Sequence, residues 1–316
     1  MNKTLYIIGN GFDLAHGIKS SYVDYKTFLE SQKLGINAEI YPQFLSDKSL
    51  NYWHEFEEQL SNYTCPDKLI DDISEKLISL NSRNSNNLYL DHSCNVIKQT
   101  IGECEYNVKI LEIKQTFQNW VKQIDISLAK QKYKFNNNSI FLSFNYTTTL
   151  EDIYSINKTK ISHIHGVKGD NNLIMGHSWS LNNNKIMSYE ESVFYKKELD
   201  TESELLRLIN SELTNLIEEL YKNTHSVLEQ SDFFYEFPQT ISKIVVIGHS
   251  LSKVDMPYFH AIKDNVPKNT SWHVGYYSEE DCKRTEILKR ELGISDDKFK
   301  KFASKNQFDL TKINYL

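Results

Sequence analysis

Four short stretches of the chain bring together residue types that can do chemistry. Ile7-Ile8-Gly9-Asn10-Gly11-Phe12-Asp13 runs from an apolar segment through a glycine-bracketed turn toward a helical pattern. Glycines in such a turn let backbone N–H groups approach a phosphate, with a helix N-terminus supplying partial positive charge. The third glycine of the dinucleotide fingerprint is missing, and the plain alternative is a tight turn with Asp13 capping the helix. Phe141-Leu142-Ser143-Phe144-Asn145-Tyr146-Thr147 ends an apolar run in an amide, followed by hydroxyl side chains and the acidic Glu151. Ligands of open α/β sheets lie beyond the carboxyl ends of the strands, which is where Asn145 would stand; a loop or cap role is the alternative. Ser162-His163-Ile164-His165-Gly166 sets two histidines two apart, on one face if the segment is a strand. No third ligand at a recognisable spacing accompanies them, so proton transfer by His165 is simpler chemistry than metal binding, with a structural histidine as the bland alternative. Val245-Val246-Ile247-Gly248-His249-Ser250-Leu251 ends a further apolar run. Gly248 and Ser250 could border a ligand there, and Asp255 either binds ribose hydroxyls or caps the next helix.

Two further features are weaker. Gly176-His177-Ser178 echoes the turn at 248–250. In Trp53-His54-Glu55-Phe56-Glu57-Glu58-Gln59-Leu60 the residues Trp53, Phe56 and Leu60 share a helical face, and Glu57 beside it reads as a solvated charge.

Positioning these residues requires strands that end where they begin. Apolar, β-branched and aromatic runs predict strands at 4–8, 139–144, 243–247 and 272–277, with weaker ones at 160–164 and 172–175. Helical patterns follow several of them, at 148–154, 256–263 and 279–292. Strand-then-helix repetition predicts an α/β fold with a Rossmann-like parallel sheet. The remainder reads as large, mainly helical insertions at about 20–135 and 195–232, with helices at 52–62, 67–80 and 96–132. Leu205, Leu208, Ile209, Leu213, Leu216, Ile217 and Leu220 form an amphipathic stripe, read as core or a subunit contact. With no Pro/Gly/Ser linker and no repeat, residues 1–316 are expected to form a single domain.

Composition excludes several classes. The chain of 316 residues is 40% hydrophobic and 25% charged, enough to bury a sizeable core. Its 36 basic and 42 acidic residues leave a net charge of −6, so nucleic-acid binding has no support from charge. Cys65, Cys94, Cys104 and Cys282 lie far apart without a C-x-x-C pair, which suits neither a zinc ribbon nor a disulfide framework. No apolar run has spanning length, so a cytoplasmic protein without membrane attachment is expected.

Taken in order, the motifs resemble those of a known family. Leu5 to Gly17 with its Gly9-Asn10-Gly11-Phe12-Asp13 core, then Tyr22, Tyr25 and Phe28, then residues 53–60, look like the AbiH family of bacterial abortive-infection proteins, which defend against bacteriophages. The order is also similar to that of the wider sirtuin-like NAD-binding superfamily. Gly9 and Gly11 match its glycine loop, Asn145 its asparagine, His165-Gly166 its His-Gly pair, and Gly248 with Ser250 its late turn. Two positions depart: Asp13 stands where that superfamily has Ser in Gly-Ala-Gly-x-Ser, and Thr147 where it has Asp two residues after the asparagine.

The resemblance implies a sirtuin-like phage-defence effector that binds NAD as substrate or ligand and hydrolyses its nicotinamide–ribose bond, without zinc. Asn145 and His165 would be catalytic. Gly9, Asn10 and Gly11 would meet the phosphates, Asp13 and Asp255 ribose hydroxyls, and Gly248 and Ser250 would border the nucleotide. Two rival readings remain: a magnesium-dependent nuclease built on Asp13, Glu57 and Asp255, and a non-catalytic nucleotide sensor acting by assembly. A phage-derived trigger and a homo-oligomer are compatible with each.

Overall fold

Six parallel strands carry the fold. The computed structural model describes residues 3–32, 56–60, 99, 105–177, 220–235, 240–304 and 308–309. The strands are β1 (Lys3–Ile8), β2 (Ser139–Ser143), β3 (Ile161–His163), β4 (Ile241–Ile247), β5 (Ser271–Tyr276) and β6 (Phe299–Ala303). Across the sheet they run β3-β2-β1-β4-β5-β6, all parallel. This is the Rossmann order: the chain starts in the centre, builds one half outward, then returns to build the other, and the order reverses between β1 and β4. A separate two-residue pairing joins Tyr133–Lys134 to Phe308–Asp309.

β1 is central and buried on both faces, so it reads as a continuous apolar run rather than an alternating one. Leu5 and Ile7 pack on one face with Leu142, Ile244, Val246 and Trp272; Tyr6 and Ile8 pack on the other with Phe12, Phe141, Val245 and Ile247. The first face is covered by α8 (Met256–Asn265) and α9 (Glu279–Glu291), through Tyr258, Phe259, Ile262 and Leu288. The second is covered by α1 (Asn10–Ala15) and α5 (Thr149–Asp152), through Phe12 and Leu150. Local signals agree with the ends: Pro257 lies in the first turn of α8, and Ser278 with Asp281 forms a capping box on α9.

Three expectations are corrected. Residues 172–175 form no strand; Ile174 N–H donates to the His165 carbonyl at 2.9 Å, but no ladder follows. β6 was unanticipated because Phe299-Lys300-Lys301-Phe302 lacks period-two alternation: the strand pairs on one side only and its lysines are exposed. The helix expected over 96–132 ends at Gln123, as α4 (Glu105–Gln123).

The chain divides into two compact units, residues 1–25, 118–174 and 222–316, which hold the sheet, and residues 26–117 with 175–221. α2 (Tyr22–Ser31) runs from the first into the second. In the second unit a single helical turn, α3 (Phe56–Gln59), buries Phe56, and Glu57 is half-buried, accepting the Gly176 N–H at 3.1 Å rather than standing solvated. Its buried His177 donates its N–H to the Leu220 carbonyl at 3.0 Å. Trp53, residues 67–80, the stripe from Leu205 to Ile217 and Cys65, Cys94 and Cys104 lie outside the described residues. Among the described residues no helix is long and apolar enough to cross a membrane.

Candidate functional site

Register sets Ile8, Ser143, His163 and Ile247 side by side at the carboxyl edge, so the loops after β1, β2, β3 and β4 start from one row. The loops after β1 and β4 meet backbone to backbone at the point where the strand order reverses. Gly9 N–H donates to the Ile247 carbonyl at 3.0 Å and Gly11 N–H to the Gly248 carbonyl at 2.7 Å. Gly248 adopts φ +63°, and a Cβ there would stand 2.2 Å from Phe12 N. Both amides are therefore engaged within the protein, and a phosphate held here would be met by other groups of the loop. Asn10 Oδ1 accepts from Ser20 Oγ at 2.6 Å.

Asp13 does not cap α1, whose N-cap is Gly9; its buried carboxylate crosses to the loop after β2. Thr147 Oγ donates to one oxygen at 2.6 Å and Thr149 Oγ to the other at 2.8 Å. Burial pushes the Asp13 pKa up to about 6, against the opposing effect of these hydroxyls, the nearby Asn145 amide and His163.

Asn145 is neither an exposed loop residue nor a cap. Its carbonyl oxygen receives His163 Nδ1 at 3.2 Å, and its side chain is buried. The amide lies near enough to Asp13 to favour the charged carboxylate, yet neither amide atom closes a well-formed hydrogen bond. His163 Nε2 lies 2.9 Å from Glu151 Oε1, while Glu151 Oε2 is buried without a partner. Both ring nitrogens of His163 thus face acceptors, the Asn145 carbonyl and the Glu151 carboxylate.

His165 belongs to a second cluster. β3 ends at His163, so the period-two rule does not carry to His165 and the two rings do not share a setting. His165 packs against Phe144 and Tyr258, its Nε2 is buried without a hydrogen bond, and the ring bonds the Phe144 carbonyl. A carbonyl only accepts, so the proton sits on Nδ1 and Nε2 keeps its lone pair. Asp255, starting α8, makes no capping bond and turns inward instead. Its Oδ1 accepts from Lys222 Nζ at 2.9 Å and lies 3.8 Å from His165 Nε2; its Oδ2 lies 3.5 Å from His249 Nε2. His249 Nδ1 accepts the Leu251 N–H at 3.0 Å, which leaves its proton on Nε2, facing Asp255. Leu251 takes φ +54° to make that turn, a conformation a leucine rarely adopts.

Burial pulls the His165 pKa well below its ordinary value, and the Lys222 ammonium adds to this. Burial also lowers His249, to about 4. For Asp255 burial is the largest effect and works against the charge, but Lys222, His165 and His249 together outweigh it and bring the carboxyl down to about 2.

A family model described as bacteriophage abortive infection AbiH matches residues 5–276, from within β1 to the end of β5. The chain belongs to the AbiH family. That membership gives it a role in phage abortive infection. No curated protein and no solved structure matches the chain.

In this AbiH chain the matched segment contains both clusters. Of the residues singled out in the sequence, Asn145, Asp13, His165, Asp255 and Gly248 gather with Gly9 and Gly11 at the carboxyl edge. Ser250 does not join them; it is exposed, and its carbonyl accepts from Arg284 at 3.3 Å. Glu57 belongs to the other unit. Among the described residues no three His, Cys, Asp or Glu side chains converge as a metal requires, and at Asp255 the Lys222 ammonium fills the role a cation would take. Sequence reasoning missed Lys222, Thr149 and the Glu151–His163 pair. A signal existed for the last two, in hydroxyls and an acid at helical spacing after Asn145, but nothing in Tyr221-Lys222-Asn223 marks a buried lysine.

Proposed function

We propose that this AbiH protein acts in phage defence by binding NAD at the carboxyl edge of its sheet and hydrolysing the nicotinamide–ribose bond. The observation that carries the reading is the set of buried, unsatisfied polar groups on the loops after β2 and β3 and on α5: both amide atoms of Asn145, Nε2 of His165 and Oε2 of Glu151. A native fold rarely leaves such groups without partners unless a ligand, an ion or an ordered water supplies them. Amide, imidazole and carboxylate together suit ribose hydroxyls and a water molecule.

In the reaction the bond from the nicotinamide nitrogen to the anomeric carbon breaks, with its electron pair leaving on nicotinamide. Water adds to the carbon and gives up a proton. Asn145 orients that water or the ribose, and His165 accepts a proton at Nε2, since a neutral ring is the form that can. Asp13 and Thr147 support this reading from another side. They are the two departures from the sirtuin-like pattern, and they are hydrogen-bonded to each other at 2.6 Å, as though hydroxyl and carboxylate had exchanged places across one contact.

The test is NAD consumption by the purified chain, with and without extract of phage-infected cells. Asn145→Ala and His165→Ala are each expected to lower the rate by about 100-fold or more. Intact NAD in an extract from cells that still arrest overturns the reading.

A further inference from the structure

The buried ammonium at Asp255 has no part in the scheme above, yet it is placed to decide the state of His165. Lys222 is wholly buried, and its position is fixed locally. The Thr224 N–H donates to the Lys222 carbonyl at 2.7 Å, and Asn223 Oδ1 caps the next helix, α6 (Thr224–Gln230), by accepting the Ser226 N–H at 3.0 Å. Its Nζ donates to Asp255 Oδ1, the oxygen that lies 3.8 Å from His165 Nε2. Without a cation there, a buried carboxylate would favour a compensating proton on the nearest titratable ring.

We propose that Lys222 is a positioning residue: by neutralising Asp255 it keeps His165 an uncharged ring whose Nε2 lone pair is open to a substrate hydroxyl or water. Every charged or titratable neighbour of that ring fits. From α8 come Asp255 and Tyr258, from the loop after β4 His249, from the segment before α6 Lys222, and from the loop after β2 the Phe144 carbonyl and the Tyr146 ring. Asp255 is the charged group that favours a proton on His165, with a smaller contribution from the Phe144 carbonyl, and Lys222 stands on its facing oxygen. His249 cannot take over that task, because its Nδ1 is committed to Leu251 and it offers Asp255 only a neutral N–H.

This inference rests on the proposed role of His165 for its purpose, but its test does not. Ring nitrogen shifts of ¹⁵N-histidine-labelled protein, with His165 assigned by its loss in His165→Asn, are followed from about pH 5.5 to 8. In the unaltered chain His165 is expected to stay neutral with its proton on Nδ1 throughout. In Lys222→Met it is expected to titrate inside this window, its midpoint moved up by about one to two pH units. The double variant Lys222→Met/Asp255→Asn, which removes both charges, is expected to return the ring to the neutral form. A protonated His165 at pH 7 in the unaltered chain, which needs no variant to fold, overturns the proposal. So does an unchanged ring in a folded Lys222→Met, or a titrating ring in the double variant. NAD turnover is recorded on the same samples. An unaltered chain that never consumes NAD removes the hydrolase reading while the ring titration still decides the role of Lys222. If turnover is found, its acidic limb is expected to move to higher pH in Lys222→Met.

Discussion

Asp13 and Asp255 are both buried carboxylates, and their neighbours push them in opposite directions. Asp13 has neutral hydroxyls on both oxygens, so burial prevails and its pKa rises to about 6; Asp255 has an ammonium and falls to about 2. The hydroxyls of Thr147 and Thr149 are therefore what makes an ionised Asp13 tolerable. Thr147→Val and Thr149→Val are each expected to cost about 1–3 kcal/mol at pH 8, where the carboxylate is charged, and less at pH 5. Urea unfolding at the two pH values checks this; equal losses at both would mean that the threonines only fill space. At this scale the sequence singled out Asn145, His165, Asp13 and Asp255 because each follows an apolar run, and the structure buries all four at the carboxyl edge. Capping, the alternative for Asp13 and Asp255, depends only on local spacing, whereas their partners are distant: Thr149 lies 136 positions from Asp13, and Lys222 holds Asp255.

The decisive element is the pair of loops that meet between β1 and β4. Gly248→Ala would force a side chain at φ +63° and set its Cβ 2.2 Å from Phe12 N, backbone that cannot step aside without separating the two loops. The expected loss is about 3 kcal/mol or more. Gly17→Ala is the control: its φ is +77°, but nothing lies within 4 Å of the added atom, so about 1 kcal/mol is expected. Denaturant midpoints of the two variants measure the difference, and equal losses would show that backbone conformation rather than loop contact matters at Gly248. The strands of this crossing were legible because a parallel strand buried on both faces is an apolar run. The contact was not, because glycines that admit a phosphate and glycines that admit another backbone are the same letters. β6 was illegible for the opposite reason: an edge strand needs few apolar residues, and its Lys300 and Lys301 point to water.

At the scale of the whole chain, the buried histidines predict a protein that weakens in mild acid. His165 lies well below the ordinary value, and burial holds His249 and His273 at about 4, with Lys243 and Lys300 adding to the effect on His273. A histidine whose folded pKa is depressed stabilises the fold above its unfolded value near 6.5, and that stability is lost as pH falls toward the folded value. Between pH 7 and 5 each such ring gives up about 2 kcal/mol. Asp13 acts in the other sense: its raised pKa means that the folded chain takes up a proton near pH 6 which the unfolded chain does not, returning about 1 kcal/mol over the same range. Asp255 is silent there, because its depressed pKa matters only as pH falls below about 4. The balance is an expected loss of roughly 5 kcal/mol from pH 7 to pH 5, measured as the unfolding free energy in urea. His273 lies on β5, outside the candidate site, so His273→Gln is expected to remove about 2 kcal/mol of that loss while leaving NAD turnover at pH 7 unchanged. A stability that stays level across this range would mean that these rings take up protons in the folded chain as readily as in the unfolded one. His165 would then not be held neutral through mild acid, as the proposed role of Lys222 requires.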